Sequence, residues 1–360
     1  GAFMANFRLL AIDGGGIRGL IPALVLQYIE TQVGRPICTL FDCIAGTSTG
    51  GILALGLTKP GDDLNRRAGT LAQLYEERGP TIFAEGAFRH ALYWTLDRTP
   101  LVPQLEHRLG LPRHVVPSDL VHPKYSPSGR HEVLGEFFKD AKLRDATSRL
   151  LVPSYDTDLR VPILFVSRDE DASISESYAA VCDQISMQDA AMATSAAPTY
   201  FPPHQVTGGP NGAYSLVDGG VFSNNPTGLA HAFLKPDTDL TGDVVVSLGT
   251  GAMTDHYPYS LIHNWGAAQW GPPVLKMMFD GQSAAVALVM QRRLANAHYF
   301  RIQADLTGEF TTAVSDDLDD ASPANIEAMK KFAAELMKKE ARALAQLCEI
   351  LAQPRSLQNA

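Results

Sequence analysis

The sequence predicts an α/β fold of three layers, in which a mostly parallel central sheet lies between helices on both faces. Short apolar stretches of strand length alternate along the chain with longer amphipathic stretches of helix length. Four of the apolar stretches run directly into glycine-rich turns, which is typical of open α/β sheets. The chain has 360 residues, of which 45% are hydrophobic, without internal repeats or a change of composition. We therefore expect a single domain over residues 5–352 and a flexible tail at 353–360.

The first third of the chain predicts two strand-to-helix units and one further helix. Residues 7–12 form the first strand, and the helix after it extends to about Gln32. A second strand over residues 40–45 leads to a helix over residues 52–57, which stops near Pro60. Asp62 or Asp63 caps a helix that runs to about Arg78. Residues 90–155 are the richest in proline, histidine and charge, so we expect surface helices and loops there.

The remaining residues continue the alternation of strands and helices. Strands are expected at residues 161–167, 214–217, 243–248 and 299–303. Helices are expected at residues 187–197 after a Ser186 cap, near 284–295, and from Ser322-Pro323 onward. The aromatic, proline-containing segment 255–282 lies between two of these elements, and it carries Trp265 and Trp270.

Composition excludes several classes of protein. The chain has 30 Lys and Arg against 39 Asp and Glu, a net charge of −9, without the basic clusters of a nucleic-acid-binding protein. The four cysteines stand singly in apolar stretches, so no metal-ligand spacing or disulfide framework is indicated. Residues 5–13 do not resemble a signal peptide, and no uncharged stretch is apolar enough to span a membrane. We expect a cytoplasmic protein that reaches membranes, if at all, from their surface.

The glycine-rich turns mark the expected site. They occupy residues 14–19, 46–51, 218–220 and 249–251, each directly after an apolar strand. In a parallel sheet such turns meet at the carboxyl edge, where open α/β folds bind their ligands. We expect the chemistry of this protein at that edge.

The second turn fits the G-x-S-x-G nucleophile elbow, with Gly46 and Gly50 on either side of Ser48. A sharp strand-to-helix turn lifts a serine hydroxyl clear of the chain, and the glycines prevent collisions with the neighbouring backbone. The sequence therefore predicts Ser48 as a nucleophile.

The first turn satisfies two patterns. Residues 14–19 fit the dinucleotide fingerprint G-x-G-x-x-G, with the acidic residue Asp42 further along the chain, and this favours an oxidoreductase. However, the chain continues from Asp42 into the Ser48 elbow, and Asp13 would repel a pyrophosphate. The same amides at a helix start can instead stabilise the oxyanion of acyl transfer, which is the interpretation that we favour.

A serine nucleophile needs a base, and the residues alone leave several candidates. Four histidines follow the elbow late in the chain without a distinctive setting: His231, His256, His263 and His298. Asp218 ends a strand and opens a glycine turn, and Asp13 has the same local pattern. Either carboxylate could take the proton in a site dry enough to raise its proton affinity.

A family resemblance decides between them. The chain resembles the patatin-like phospholipases, and in layout the plant patatins, from about Leu9 to Leu351. The resemblance is carried by Asp13-Gly-Gly-Gly-Ile-Arg-Gly19, Gly46-Thr-Ser-Thr-Gly-Gly51, Ser195-Ala-Ala-Pro-Thr-Tyr-Phe-Pro-Pro203, Leu216-Val-Asp-Gly-Gly-Val221, Ser247-Leu-Gly-Thr-Gly251 and Asp319-Asp-Ala-Ser-Pro-Ala-Asn325.

The resemblance implies a lipid acyl hydrolase with a Ser–Asp dyad, a patatin-like fold and no cofactor or metal. It assigns Ser48 as nucleophile and Asp218 as base, with Gly219 and Gly220 in the motif of that base. It places the oxyanion site at Gly14, Gly15, Gly16 and Arg18, followed by Gly19. The expected substrates are phospholipids or other acyl lipids, met at a membrane or micelle surface. Arg18 departs from the lysine usual in plant patatins.

Two segments bear on access and control. Residues 90–130 look longer than in plant patatins, so we expect a lid or insertion there. Some bacterial relatives are switched on by a cyclic nucleotide in antiviral defence, and this segment leaves that alternative open. The apolar segment 255–282 is interpreted either as an interfacial flap or as core beneath a loop. We interpret Thr194 and Ser195 as packing residues, and Tyr200, Phe201 and His204 as lining an acyl pocket.

Overall fold

A single mixed sheet forms the centre of the molecule. The computed structural model describes residues 7–61, 67–83, 123–168, 179–181, 185–209, 212–234, 242–252, 255–294, 298–306, 310 and 313–354. The strands within them are β1 (Arg8–Ile12), β2 (Cys43–Gly46), β3 (Arg149–Asp156), β4 (Val161–Val166), β5 (Ala179–Val181), β6 (His204–Gly209), β7 (Gly212–Asp218), β8 (Val244–Leu248) and β9 (His298–Ile302). Their order is β5-β4-β3-β2-β1-β8-β9, and β6 joins through β7, which pairs with β3.

Helices cover both faces of this sheet. They are α1 (Leu20–Val33), α2 (Ile37–Leu40), α3 (Thr49–Thr58), α4 (Arg67–Ile82), α5 (Pro127–Phe138), α6 (Met187–Thr194), α7 (Gly220–Ser223), α8 (Thr227–Leu234), α9 (Tyr259–Ile262), α10 (Ala267–Arg293), α11 (Pro323–Lys339) and α12 (Ala341–Ala352). Alternate residues of β1 belong to different cores: Leu10 packs beneath α1, α3 and α11, whereas Leu9 packs beneath α8 and the end of α10. The three-layer α/β/α prediction is confirmed.

Five neighbouring strands are parallel, and they explain the apolar sequence pattern. β3, β2, β1, β8 and β9 run in the same direction, and every residue of β1, β2 and β8 is buried. Strands covered on both faces need apolar side chains at successive positions rather than at alternate ones. This is why residues 7–12 and 243–248 could be recognised as strands from the sequence.

We expected only helices and loops at residues 90–155, and this was wrong for the last residues of the segment. Residues 149–156 form β3, which is almost entirely buried and pairs with β2, β4 and β7. Pro153 and two charged ends interrupt its apolar pattern, which hides the strand in the sequence. Of the expected lid at residues 90–130, only residues 123–130 are described, and α5 begins within them.

Several other boundaries differ from the predicted ones. α10 begins at Ala267 rather than near residue 284, and it continues through Pro272 and Pro273 at the loss of two backbone hydrogen bonds. Segment 255–282, which we interpreted either as a flap or as core beneath a loop, therefore contains a short helix, α9, and the first half of α10. Residues 37–40 form a helical turn before β2, the helix after Ser186 ends at Thr194, and the last helix is divided into α11 and α12.

The turn at residues 218–220 reaches the site from an unexpected direction. Three glycine-rich turns follow the parallel strands β1, β2 and β8, as predicted. The fourth follows β7, which is antiparallel to β3. β3 extends past its last pairing with β2 at Leu151, and this extension pairs through Ser154 with Asp218. Asp218 therefore lies beside the end of β2, where the Ser48 turn begins.

Among the described residues, none of the helices combines the length and the apolar character needed to cross a membrane.

Candidate active site

Ser48 occupies the sharp turn between β2 and α3. Its backbone adopts φ 55° and ψ −123°, a strained conformation that costs a non-glycine residue about 1–3 kcal/mol. A Cβ on Gly46 would overlap the carbonyl of Gly50, and one on Gly50 would overlap the carbonyl of Ile12. The elbow therefore needs both glycines, because the turn is pressed against its own helix and against the end of β1.

The turn is held by a side chain that sequence reasoning assigned to packing. The Ser48 amide donates a hydrogen bond to Oγ1 of Thr194 (3.0 Å), which in turn donates to the carbonyl of Pro153 (2.6 Å). Thr194 ends α6 and Pro153 lies in β3, so two neighbouring elements fix the strained residue. Thr194 is thus a positioning residue for the elbow.

Asp218 contacts the Ser48 hydroxyl directly. Oγ of Ser48 donates to Oδ2 of Asp218 at 2.6 Å, and the Gly220 amide donates to Oδ1 at 2.7 Å. The carboxyl group is fully buried. Burial raises its pKa to about 7, although the hydrogen bonds from Ser48 and Gly220 and the charge of Arg130 act in the opposite direction. The group is therefore poised to exchange a proton near neutral pH.

The other candidate bases are elsewhere. Asp13 makes a bidentate ion pair with Arg301, with Oδ2 2.6 Å from Nη2 and Oδ1 2.9 Å from Nη1. Of the ten histidines, the six in the described part of the chain do not line the cleft that contains Ser48. His231 instead lies 3.5 Å from Asp243, and His204 pairs with Asp189. Among the described residues, Asp218 is the titratable partner of Ser48.

The glycine loop faces Ser48 with two of its three predicted amides. The Gly14 amide donates to the carbonyl of Asn224 (3.0 Å), and the Gly14 carbonyl accepts from Thr250 (2.8 Å). Gly15 and Gly16 line the cleft together with Ser48. No described residue accepts a hydrogen bond from either of their amides. The available donors are therefore Gly15 and Gly16, and Gly14 is a structural link to Asn224.

Arg18 does not line the cleft of Ser48. Its Nε donates to the carbonyl of Gly15 at 3.3 Å, and its Nη1 to that of Gly251 at 3.5 Å. The side chain is buried, which lowers its pKa. It lines a small neighbouring polar pocket with Asp13 and Gly14. The Arg18 side chain therefore lies behind the glycine loop rather than along the cleft.

The cleft itself is predominantly apolar. Tyr200 and Phe201 line it as expected, whereas His204 does not. Further apolar lining comes from Ile52, Ile82, Phe83, Phe279 and Leu318. Such a surface suits a hydrocarbon chain.

The geometry does not favour a dinucleotide site. Asp42 precedes β2, and its Oδ2 accepts from the amide of Arg8 at the start of β1 (2.8 Å). This is the amino edge of the sheet, about 13 Å along the strands from the glycine loop at the opposite edge. A ribose held at the loop would not reach this carboxylate.

Comparison with known proteins identifies the family of the chain. The family model described as patatin-like phospholipase matches residues 10–231, which contain both Ser48 and Asp218. The chain belongs to the patatin-like phospholipase family. Patatin-like protein 2 of Arabidopsis thaliana is 28% identical, over 92% of this chain and 83% of the relative. Probable inactive patatin-3-Kuras 1 of Solanum tuberosum is 29% identical, over 92% and 86%. VipD from Legionella pneumophila has a TM-score of 0.35 and 11% identity, covering 94% of this chain and 67% of that one.

The motif glycines of the chain pack closely around the Ser48–Asp218 pair. A Cβ on Gly19 would overlap Thr49, and one on Gly219 would overlap the carbonyl of Pro153. Gly220 supplies the amide that binds Asp218.

Sequence reasoning missed Arg130. This buried residue of α5 lines the cleft, yet it lies in the segment 90–155, where the sequence predicts surface helices and loops. No local motif marks it. The described residues contain no group of three or more His, Cys, Asp or Glu side chains that could hold a metal ion.

Proposed function

We propose that the protein is a lipid acyl hydrolase of the phospholipase A or esterase type, a serine hydrolase that cleaves fatty-acyl esters. The observation that carries the proposal is the 2.6 Å contact between the Ser48 hydroxyl and the buried Asp218 carboxylate in an apolar cleft. Family membership alone does not suffice, because one relative bears the name of a probable inactive protein. The proposal therefore depends on the geometry of the pair.

In the first step Ser48 Oγ attacks the carbonyl carbon of the ester. Asp218 Oδ2 takes the hydroxyl proton as the Oγ–C bond forms and the carbonyl electron pair moves onto oxygen. When this tetrahedral intermediate collapses, the bond to the alcohol oxygen breaks. Asp218 returns the proton to that oxygen, so a neutral alcohol or lysolipid leaves and the acyl group remains on Ser48.

The amides of Gly15 and Gly16 are the proposed donors to the oxyanion. Both line the cleft, and neither has an acceptor among the described residues. In this account Gly14 and Arg18 hold the loop in place rather than touching the oxyanion. One oxyanion donor contributes on the order of 10²–10³ in rate.

The second step repeats the chemistry with water. Asp218 takes a proton from water as its oxygen attacks the acyl carbon. Collapse then breaks the C–Oγ bond, and the proton passes from Asp218 to Ser48 Oγ. The products are a fatty acid and the starting enzyme. All proton transfers in this scheme use one carboxyl group, whose pKa of about 7 suits both roles.

We also propose that the outer face of α10 contacts the lipid surface. Every exposed position of this helix between Val274 and Val289 is apolar: Val274, Met277, Met278, Gly281, Ala284, Ala285, Leu288 and Val289. These positions recur at helical spacing, so they form one stripe. On the opposite face, Phe279 lines the cleft. The stripe ends in exposed Arg292 and Arg293, whose charges suit phosphate groups at a lipid surface.

The direct experiment is acyl release by the purified protein from phospholipids, galactolipids, monoacylglycerols and a soluble short-chain ester. Ser48→Ala, which removes only the hydroxyl, is the control for each substrate. The proposal expects release without added nucleotide and none from the variant. Release that Ser48→Ala retains would contradict it, and activity only after addition of a cyclic nucleotide would favour the regulated alternative.

A further inference from the structure

Arg130 is a buried cation beside the Ser48–Asp218 pair. It lies in the first turns of α5, and its side chain is 1% exposed. It lines the same cleft as Ser48 and Asp218, whose other lining is largely apolar. Lysine and arginine are almost never fully buried without a partner, because removal of the charge from water is costly.

The partners of Arg130 engage one of its three guanidinium nitrogens and leave the other two without an acceptor among the described residues. Nη1 donates to the carbonyl of Ser195 and, at 3.2 Å, to its Oγ. The guanidinium carbon lies 4.1 Å from the centre of the Phe201 ring. Nε and Nη2 are buried, and within the described part of the chain they have no hydrogen-bond partner.

The nearby carboxylate does not supply the missing partner. Asp218 acts on Arg130 through its charge, but its oxygens accept from Ser48 and Gly220. Burial lowers the pKa of Arg130 to about 9, so the group remains charged at neutral pH. Nε and Nη2 form the side of the guanidinium that binds two oxygens of one anion in a fork.

We propose that Arg130 is the anion-binding residue of the cleft and holds two anionic oxygens of a bound lipid through Nε and Nη2. This inference rests on the proposed function for its choice of ligand. Two sources carry the required chemistry: the phosphodiester of a glycerophospholipid and the carboxylate of a released fatty acid. If the phosphodiester is held, the cleft favours charged lipids over neutral esters of the same chain length. If the carboxylate is held, the cleft retains the fatty-acid product of either substrate.

The test compares two substrates that differ in the phosphate group. The ratio of kcat/KM for dioctanoyl phosphatidylcholine to that for dioctanoylglycerol is measured in the same mixed micelles. A charge-assisted fork is worth a factor of about 10–100, so Arg130→Met should lower this ratio by about that factor if the phosphodiester is the bound anion. Arg130→Lys keeps the charge but not the fork, so its ratio should lie between those of wild type and Arg130→Met. Arg67→Met removes a buried arginine outside the cleft and should leave the ratio as it is.

A second arm distinguishes the two anions. Decanoate is tested as an inhibitor of short-chain ester hydrolysis by wild type and Arg130→Met. Inhibition that weakens at least about tenfold in the variant assigns the carboxylate; a changed substrate ratio with unchanged inhibition assigns the phosphodiester. If Arg130→Met is folded by circular dichroism and changes neither quantity, the inference is wrong, and Arg130 only supports Ser195.

Binding separates this inference from the proposed function. Calorimetry on Ser48→Ala with monomeric dihexanoyl phosphatidylcholine and with decanoate requires no turnover. If Ser48→Ala binds either anion in an Arg130-dependent way and wild type hydrolyses none of the substrates, the anion site is preserved and the hydrolase is overturned. If wild type hydrolyses the substrates and Ser48→Ala binds both anions as well as Ser48→Ala/Arg130→Met does, the hydrolase is supported and the anion site is overturned.

Discussion

At the scale of single residues, the environment of Asp218 determines how the protein should respond to pH. The carboxyl group is buried, and its pKa is raised from 3.8 to about 7. Only the ionised form can accept the proton of Ser48. We therefore expect kcat/KM for a soluble ester to increase with pH and to reach half its maximum near pH 7. A plateau extending down to the ordinary range of aspartate would contradict this assignment.

The burial of Asp218 also predicts that its ionised carboxylate lowers the stability of the folded protein. A carboxyl whose pKa is raised on folding binds its proton more tightly in the folded state, so its contribution to stability falls as pH rises from about 4 to about 7. Asp218→Asn removes the buried charge and can still bond to Ser48 and Gly220. We expect its Tm to exceed that of wild type by a few degrees at about pH 8, and the difference to shrink at about pH 4. A lower Tm for the variant at both pH values would show that the carboxylate is not costly.

The glycine loop gives a third prediction at this scale. A Cβ on Gly15 would overlap the side chain of Thr250, which donates to the carbonyl of Gly14. Gly15→Ala must therefore displace the loop and its amides, rather than blocking the oxyanion directly. We expect kcat for a soluble ester to fall on the order of 10²–10³ with the fold retained. Gly271→Ala is the matched control, because nothing lies within 4 Å of a Cβ at this position. Equal effects of both changes on kcat would contradict a catalytic role of the loop amides.

At the scale of elements, α10 joins the candidate active site to the surface. Its inner face carries Phe279, and its hydrogen bonds to Asn224 fix the residue whose carbonyl holds Gly14. Its outer face is the apolar stripe. A helix with these two faces can bring lipid to the cleft that it lines.

The stripe can be tested without turnover. In a Ser48→Ala background, Met278→Glu with Leu288→Glu should lower binding to phosphatidylcholine vesicles about tenfold or more, because each charge must leave water to enter the lipid surface. The matched control is Leu159→Glu, a side chain of similar exposure outside this helix. Flotation with vesicles measures the bound fraction. Equal binding by all three proteins would exclude the stripe as the contact surface.

The elements that could be predicted from sequence are those with local causes. The β2–Ser48–α3 turn was predictable because its glycines and strained serine are adjacent in the chain. Residues 149–156 were not, because a strand interrupted by Pro153 is stabilised by pairing with distant strands. The start of α10 was also missed, since two prolines there are tolerated only in their tertiary setting.

At the scale of the whole molecule, the site depends on contacts that no local pattern contains. Ser48 and Asp218 are 170 residues apart in the chain. Arg301, whose ion pair with Asp13 makes that aspartate unsuitable as the base, is 288 residues from it. Composition left the two aspartates equivalent, and only the family resemblance chose between them. The partner of Gly14 and the position of Arg130 had no sequence signal at all, because each is fixed by packing between elements.

The central claim is that Asp218 serves as the base for Ser48, and hydrolysis of a soluble short-chain ester by Asp218→Asn tests it most directly. Asp13→Asn, an equivalent change in the other buried aspartate of the turns, is the control, and circular dichroism verifies both folds. We expect kcat of Asp218→Asn to fall by about 10³-fold or more, and kcat of Asp13→Asn to fall by no more than about tenfold. Near-normal turnover by Asp218→Asn would contradict it and would require another base for Ser48.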